Sequence, residues 1–349
     1  MNNEKGIIKY LKDITSDAQM VRLFVIMVAA FVIMAAANGS KFLSLSNFQS
    51  MARTFPEVGI LAIAVSLAML LGGINLSVVG IANLSGSFCC QFIIFAQDKI
   101  GMWPAIIIGL LIAMAVGALC GLLNGFLIAY VGIPAMLATL GTQEIFIGLG
   151  VGVTKGAAVF GTPSEFTFFG GAYIFGVIPM SLIVFIVVVV IFTILLQRKQ
   201  YGMELYLVGT NPTAARFSGI KNEIVIMKTH VFGGILSAVA GIIIASGTNS
   251  AKASYGSSYV LRCLIVAILG GINPSGGFGK ITGVVMAVLT IQFLSSGFGI
   301  LRVDSYFQTF VWGAVLVGDM ILNHYCDKFA ESRKKKKAEK ASAALSKEV

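Results

Sequence analysis

The sequence predicts an all-α, polytopic membrane protein of about ten transmembrane helices, with interrupted or re-entrant segments near 72–77 and 270–280. Three observations predict it. Of the 349 residues, 57% are hydrophobic and 11% charged, against about a quarter charged in soluble domains. Mean hydropathy is +0.91, and the apolar runs are long rather than short and alternating, which fits helical spans and not a barrel. Ten spans of about 20 residues use more than half the chain and leave no room for a soluble catalytic domain.

The first element is a cytoplasmic tail, residues 1–19. Lys5, Lys9 and Lys12 mix there with Glu4, Asp13 and Asp17, and no small-residue cleavage site follows the first apolar run, which argues against a signal peptide. A single membrane domain, 20–324, comes next. Span 1 runs from Met20 to Ala37, followed by a short polar exit loop, Asn38 to Phe55. Span 2, Pro56 to Gly73, ends in LLGGINLSVVG, where Gly72 and Gly73 break the helix. Span 3 covers Val78 to Ala96, with Gln97, Asp98 and Lys99 as a small loop. Span 4 runs from Trp103 to Tyr130, and Pro134 opens span 5, which ends near Val153.

A loop rich in Gly, Thr, Pro and aromatic residues, Thr154 to Phe175, leads to span 6, Val177 to Leu196. The one long polar interruption follows, 197–224. Span 7 is Val225 to Ser246 and span 8 Tyr259 to Leu269, before a second glycine break, GGINPSGGFGK. Span 9 covers Ile281 to Ser296 and span 10 Phe307 to Leu322. A basic tail, 325–349, ends the chain. The pentapeptide Leu71 to Asn75 returns at Leu269 to Asn273. Interrupted helices in corresponding halves point to a transport pathway, because irregular backbone is tolerated at membrane depth only inside protein or along a cavity.

The net charge of +10 does not mark a nucleic-acid binder. Its cations gather in the N-terminal tail, in the mid-chain segment (Arg198, Lys199, Arg216, Lys221, Lys228), at Lys280 and in the RKKKK run. The opposite side holds only Lys41, Arg53, Lys99, Lys155, Lys252, Arg262 and Arg302. That bias places both termini and the 197–224 segment in the cytoplasm of a multi-pass inner-membrane protein. The terminal run suits anionic lipid headgroups. Cys89, Cys90, Cys120, Cys263 and Cys326 lack metal or redox spacing and read as buried small hydrophobes. His230 and His324 read as interfacial residues.

No catalytic constellation is present, and the chain is read as a non-enzyme. PSGGFGKI, 274–281, imitates a phosphate loop, but Ile281 stands where Ser or Thr is required and Pro274 where the first glycine is. Any energy from ATP must come from another subunit. Polar residues inside apolar runs are the remaining clues, because each is costly unless it faces protein or water. Asn75, Ser77, Asn83, Asn124, Thr139, Thr142, Gln143, Glu144 and Asn273 qualify. Glu144, mid-span, is the carboxylate that an ion-coupled transporter would need, although no second ionisable partner is evident. Arg262 can snorkel outward. Within the polar segment, Asn211 can cap a short helix, Pro212 suits its first position and Gly219 can end it.

Four segments together resemble the permease subunits of ribose-type, or simple-sugar, ATP-binding-cassette importers: LLGGINLSVVGIANLSG, LNGFLIAYVGIPAMLATLGTQEI, YGMELYLVGTNPTAARFSGI and AILGGINPSGGFGKITGVVMAVL, in the family's order across most of 50–320. The resemblance implies a homodimer or paralogous heterodimer with the pathway at its axis. It also implies an extracytoplasmic sugar-binding protein and a separate ATPase subunit that binds ATP and Mg, with no cofactor in this chain. Residues 212–218 would be the coupling helix. Tyr201, Gly202, Gly209, Asn211, Ala214, Ala215, Arg216, Ser218 and Gly219 would form the ATPase contact. A nucleoside or amino-acid importer, or an ion-coupled carrier using Glu144, are the alternatives. Asn75 stands where the family usually has Asp, and Val260 and Arg262 where it commonly has Glu and Asp.

Overall fold

Helices account for nearly all of the regular structure in this computed structural model, which describes residues 18–304, 306–315, 317, 318 and 321. The N-terminal tail to residue 17 and the C-terminal tail, with His324, Cys326 and the basic run, lie outside the described residues. The chain divides into two units, Met1–Arg302 and Val303–Val349. In the second, residues 306–315 are helical, and Asp304 opens the segment by accepting from the Tyr306 and Gln308 amides at 3.1 and 3.0 Å. The remainder of span 10 falls largely outside the described residues.

In the first unit the principal helices are α1 (Ala18–Asn38), α2 (Leu45–Leu70), α3 (Val78–Ile100), α4 (Met102–Ala129), α5 (Ala135–Thr154), a one-turn α6 (Phe168–Gly171), α7 (Met180–Arg198), α8 (Gln200–Thr210), α9 (Pro212–Phe217), α10 (Asn222–Thr248), α11 (Tyr259–Leu269) and α12 (Ile281–Ile300). Among its described residues the only strands are β1 (Tyr173–Ile174) and β2 (Ile178–Pro179), an antiparallel pair between α6 and α7. Among the described residues, eight helices are long and apolar enough to cross a membrane: α1 to α5, α7, α10 and α12. At 11 residues, α11 reaches about 16 Å, roughly half the hydrocarbon thickness.

Two expected boundaries are corrected. Pro56 does not open span 2. The helix starts at Leu45, where the Ser44 hydroxyl accepts from the Asn47 amide at 3.3 Å, and Pro56 lies buried within it. Most of the expected exit loop is therefore helix. Gln97, Asp98 and Lys99 are likewise the last turn of α3, with the Lys99 ammonium 3.7 Å above the Phe95 ring. A cation–π contact one turn back lets charged residues stay helical.

The core is built on α2 and α10. From Val58 to Leu70 every residue of α2 is buried, as expected of a helix surrounded by others. Small residues bring α10 against its neighbours: a side chain at Gly121 would strike the His230 carbonyl, one at Gly234 the Gly117 carbonyl, and one at Gly241 the Ala82 carbonyl. Glycine at such crossings lets backbones approach closely, the main source of helix association where lipid removes the hydrophobic drive. His230 is consequently 2% exposed, buried on α10 rather than interfacial. Cys89, Cys90, Cys120 and Cys263 are buried and free.

The two glycine breaks differ in span context. The first is a short turn between two full-length helices. The second follows the half-length α11, and the chain between Thr248 and Tyr259 has no helix at all. Asn83 of α3 serves that stretch, donating to the carbonyls of Ala253 and Tyr255 at 2.9 and 2.7 Å. Those two bonds tie the irregular stretch ahead of α11 to α3.

Candidate functional site

The polar segment folds as two helices joined by one residue. Asn211 ends α8 and caps α9. Its side chain accepts from the Ala214 amide at 3.0 Å, and Pro212 takes the first helical position. Ser218 closes α9 through amide bonds to Ala214 and Ala215, and Gly219 leaves at φ 83°, in the left-handed region that favours glycine. The Asn222 side chain donates back to the Pro212 carbonyl at 2.8 Å, fixing α9 across the start of α10.

The nine sequence-predicted residues here divide by burial. Asn211, Ala214, Arg216, Ser218 and Gly219 are exposed; Gly202, Gly209 and Ala215 are buried and Tyr201 half-buried. Ala215 faces the chain itself and cannot be a close-approach surface for a partner. The Tyr201 hydroxyl lies 2.8 Å from the Thr229 hydroxyl, and its ring packs edge-on to Phe232. The Tyr206 hydroxyl donates to the Gly279 carbonyl at 2.7 Å. Burial raises the pKa of both phenols above their ordinary value, so both remain protonated. Sequence reasoning missed Phe217, which is 90% exposed at the end of α9. Met203, Leu207 and Ile224 are exposed nearby along α8 and α10.

At the first break, five of the polar residues singled out above meet: Asn75, Ser77, Asn124, Thr139 and Thr142. Asn75 accepts from the Ser77 amide at 3.0 Å and from its hydroxyl at 2.7 Å. Asn124 of α4 donates to the Ser77 hydroxyl at 2.7 Å, and Thr142 of α5 donates to Asn124 at 2.6 Å. Thr139 accepts from the Leu76 amide at 3.1 Å and lies 3.1 Å from the Ile74 carbonyl. All five side chains are buried. The network satisfies a non-helical turn and ties α4 and α5 to it.

The other predicted residues stand apart. Asn83 serves the irregular stretch before α11, and Gln143 is half-buried, with its side-chain oxygen lacking a hydrogen-bond partner. Glu144 is exposed on α5, outside the network. Asn273 is exposed within the second break. Another missed residue is Glu57, inside α2, which accepts from the Tyr259 hydroxyl at 2.6 Å with the Arg53 and Arg262 charges acting on it. Arg262 is half-buried, 5.8 Å from the Tyr259 ring centre. Glu57 thus places a carboxylate of α2 beside the start of α11. An acidic residue inside an apolar run was the available signal, hidden by reading Pro56 as a helix start.

The family described as "Branched-chain amino acid transport system / permease component" matches residues 47–320. The ribose import permease protein RbsC of Bacillus subtilis is 34% identical over 294 residues, 84% of this chain and 89% of that protein. The autoinducer 2 import system permease protein LsrD of Yersinia enterocolitica is 29% identical over 286 residues, 80% of this chain and 84% of that protein. Its counterpart in Yersinia pseudotuberculosis is 30% identical over 293 residues, 82% of this chain and 85% of that protein. No solved structure matches.

Proposed function

Because the chain belongs to the branched-chain amino acid transport system / permease component family, we propose that it forms the membrane pathway of an ATP-driven importer for a simple sugar. A separate ATPase subunit, binding ATP and Mg, drives it from the cytoplasmic side, and an extracytoplasmic binding protein delivers the sugar. A second copy, or a paralogous permease, completes the pathway. The observation that carries this reading is α9, a capped helix whose outer face offers Arg216 and a nearly bare Phe217. An exposed aromatic beside a cation suits a groove with an apolar pocket and an acidic rim, as interface anchors generally do.

A sugar is favoured over an amino acid on two grounds. The relatives above are named for import of ribose and of autoinducer 2. The polar groups gathered at the first break are neutral amides and hydroxyls, with no charge to balance an ammonium or a carboxylate. ATP-driven closure would displace α9 and bias the permease between inward- and outward-facing states.

The test uses the full chain in proteoliposomes with its ATPase and binding protein, following labelled ribose. Phe217→Ala is expected to cut co-purification of the ATPase and ATP-driven uptake by about tenfold, as hot-spot truncations do, while membrane insertion is unchanged. Leucine should not compete with the label. Uptake by the permease alone on an ion gradient, abolished by Glu144→Gln, would overturn the reading in favour of an ion-coupled carrier.

A further inference from the structure

The two glycine breaks and the end of α8 meet backbone to backbone. The last carbonyl of α2, on Leu70, accepts from the Gly277 amide of the second break at 2.9 Å. Gly209 lies against that same carbonyl, and a side chain there would collide with it. A Cβ at Gly276 would sit 2.6 Å from the Gly209 carbonyl oxygen and 2.8 Å from the Gly72 nitrogen. One residue on, the Thr210 side chain fills the space beside Gly277, and one turn back Tyr206 donates to Gly279. Three chain segments, far apart in sequence, therefore touch without a side chain between them.

We propose that Gly209 is a positioning residue, the junction through which displacement of α9 reaches both glycine breaks at once. The inference rests on the reading of α9 as the ATPase contact. Asn211 alone separates α8 from α9 and serves both, as the residue that ends one and caps the other, so the pair moves as one lever. Its inner end bears on Leu70, which leads into the first break, and on Gly276 and Gly277 within the second. Close-packed atoms transmit displacement because there is no void to absorb it, and glycine removes the rotatable groups that would yield first.

The junction predicts a defect in coupling rather than in docking. With the assembled permease, ATPase and binding protein in proteoliposomes, Gly209→Ala should lower the amount of sugar moved per ATP hydrolysed by about tenfold, within the range of coupling changes produced by residues that touch neither ligand. Gly209 is buried against the Leu70 carbonyl and presents no surface to a partner, so ATPase co-purification and basal hydrolysis should hold. Tyr206→Phe removes only the hydroxyl contact to Gly279 and should lower the same ratio by about threefold; it carries the test if Gly209→Ala fails to insert. A purely structural role would change the quantity of folded protein and leave the ratio intact. An unchanged ratio in both variants, or loss of ATPase binding in parallel with uptake, overturns the junction. A wild-type assembly without ATP-driven uptake would instead overturn the permease reading itself.

Discussion

The pentapeptide Leu-Gly-Gly-Ile-Asn occurs twice, at 71–75 and 269–273, and its two copies fold alike in one respect and oppositely in another. Both end a helix with the same pair of closing bonds. In the first, Gly72 donates to Met69 and Gly73 to Ala68; in the second, Gly271 donates to Ile268 and Ile272 to Ala267. This is the Schellman pattern, with a left-handed glycine at Gly72 (φ 83°) and Gly271 (φ 80°). The pattern has slipped by one residue, using the first glycine of the pair in one copy and the second in the other. Local sequence specifies that a helix ends here; the surroundings choose the glycine.

The slip reverses which side chain is buried. In the first break Asn75 is 1% exposed and Ile74 half-buried, whereas in the second Ile272 is 2% exposed and Asn273 exposed. Both asparagines still accept from the amide two residues on, at 3.0 Å in Asn75 and 2.9 Å in Asn273. Asn75 bonds Ser77, which Asn124 and Thr142 extend into a buried network, while Ile272 takes the position where this motif commonly places an apolar contact.

The largest test of that reversal exchanges the isoleucines. Ile272→Ala should cost about 3 kcal/mol, as for a fully buried aliphatic side chain, and Ile74→Ala about 1 kcal/mol. Thermal unfolding in detergent, scored as the shift in Tm of each variant, measures the difference. Equal shifts would mean that the two copies are packed alike and that the slip has no energetic content. The asparagines provide the second test with the sign reversed. Asn75→Leu strands the Ser77 amide and hydroxyl among buried groups and should cost about 2–3 kcal/mol. Asn273→Leu loses only an exposed turn bond and should cost less than about 1 kcal/mol. A larger loss at Asn273 than at Asn75 would break the comparison.

Much of the architecture was legible from apolar runs and their punctuation. Pro134 fixed the start of α5, Tyr259 to Leu269 matches α11, and Asn211, Pro212 and Gly219 marked α9. The boundaries that failed did so for contacts made through space or along one helix face. Ser44 capped a helix that contains Pro56, and Phe95 kept Lys99 helical. At the site, composition identified Asn75, Ser77, Asn124, Thr139 and Thr142 singly, as polar residues in apolar surroundings. Their assembly was not legible, because Asn124 meets Ser77 across 47 positions. Phe217 and Glu57 were overlooked for opposite reasons: an aromatic in a polar loop is unremarked until its exposure is known, and a carboxylate beside a proline passes for a helix start. The repeated pentapeptide was visible, but its one-residue slip depends on neighbours that no local pattern contains.

The finest test separates hydrogen bonding from charge at the buried copy. Asn75 uses its side-chain oxygen as an acceptor, taking both the amide and the hydroxyl of Ser77. Aspartate preserves those two bonds and strengthens them, since an ionised acceptor binds donors more tightly. Opposing this is the cost of holding a carboxylate away from water. With two donors already aimed at the site and the Asn124 amide one bond away, Asn75→Asp should lose about 1 kcal/mol, well short of Asn75→Leu, in the same unfolding measurement. Losses as large as those of leucine would show that the first break requires neutrality. In that case its network, rather than the glycine that ends the helix, would distinguish the two copies.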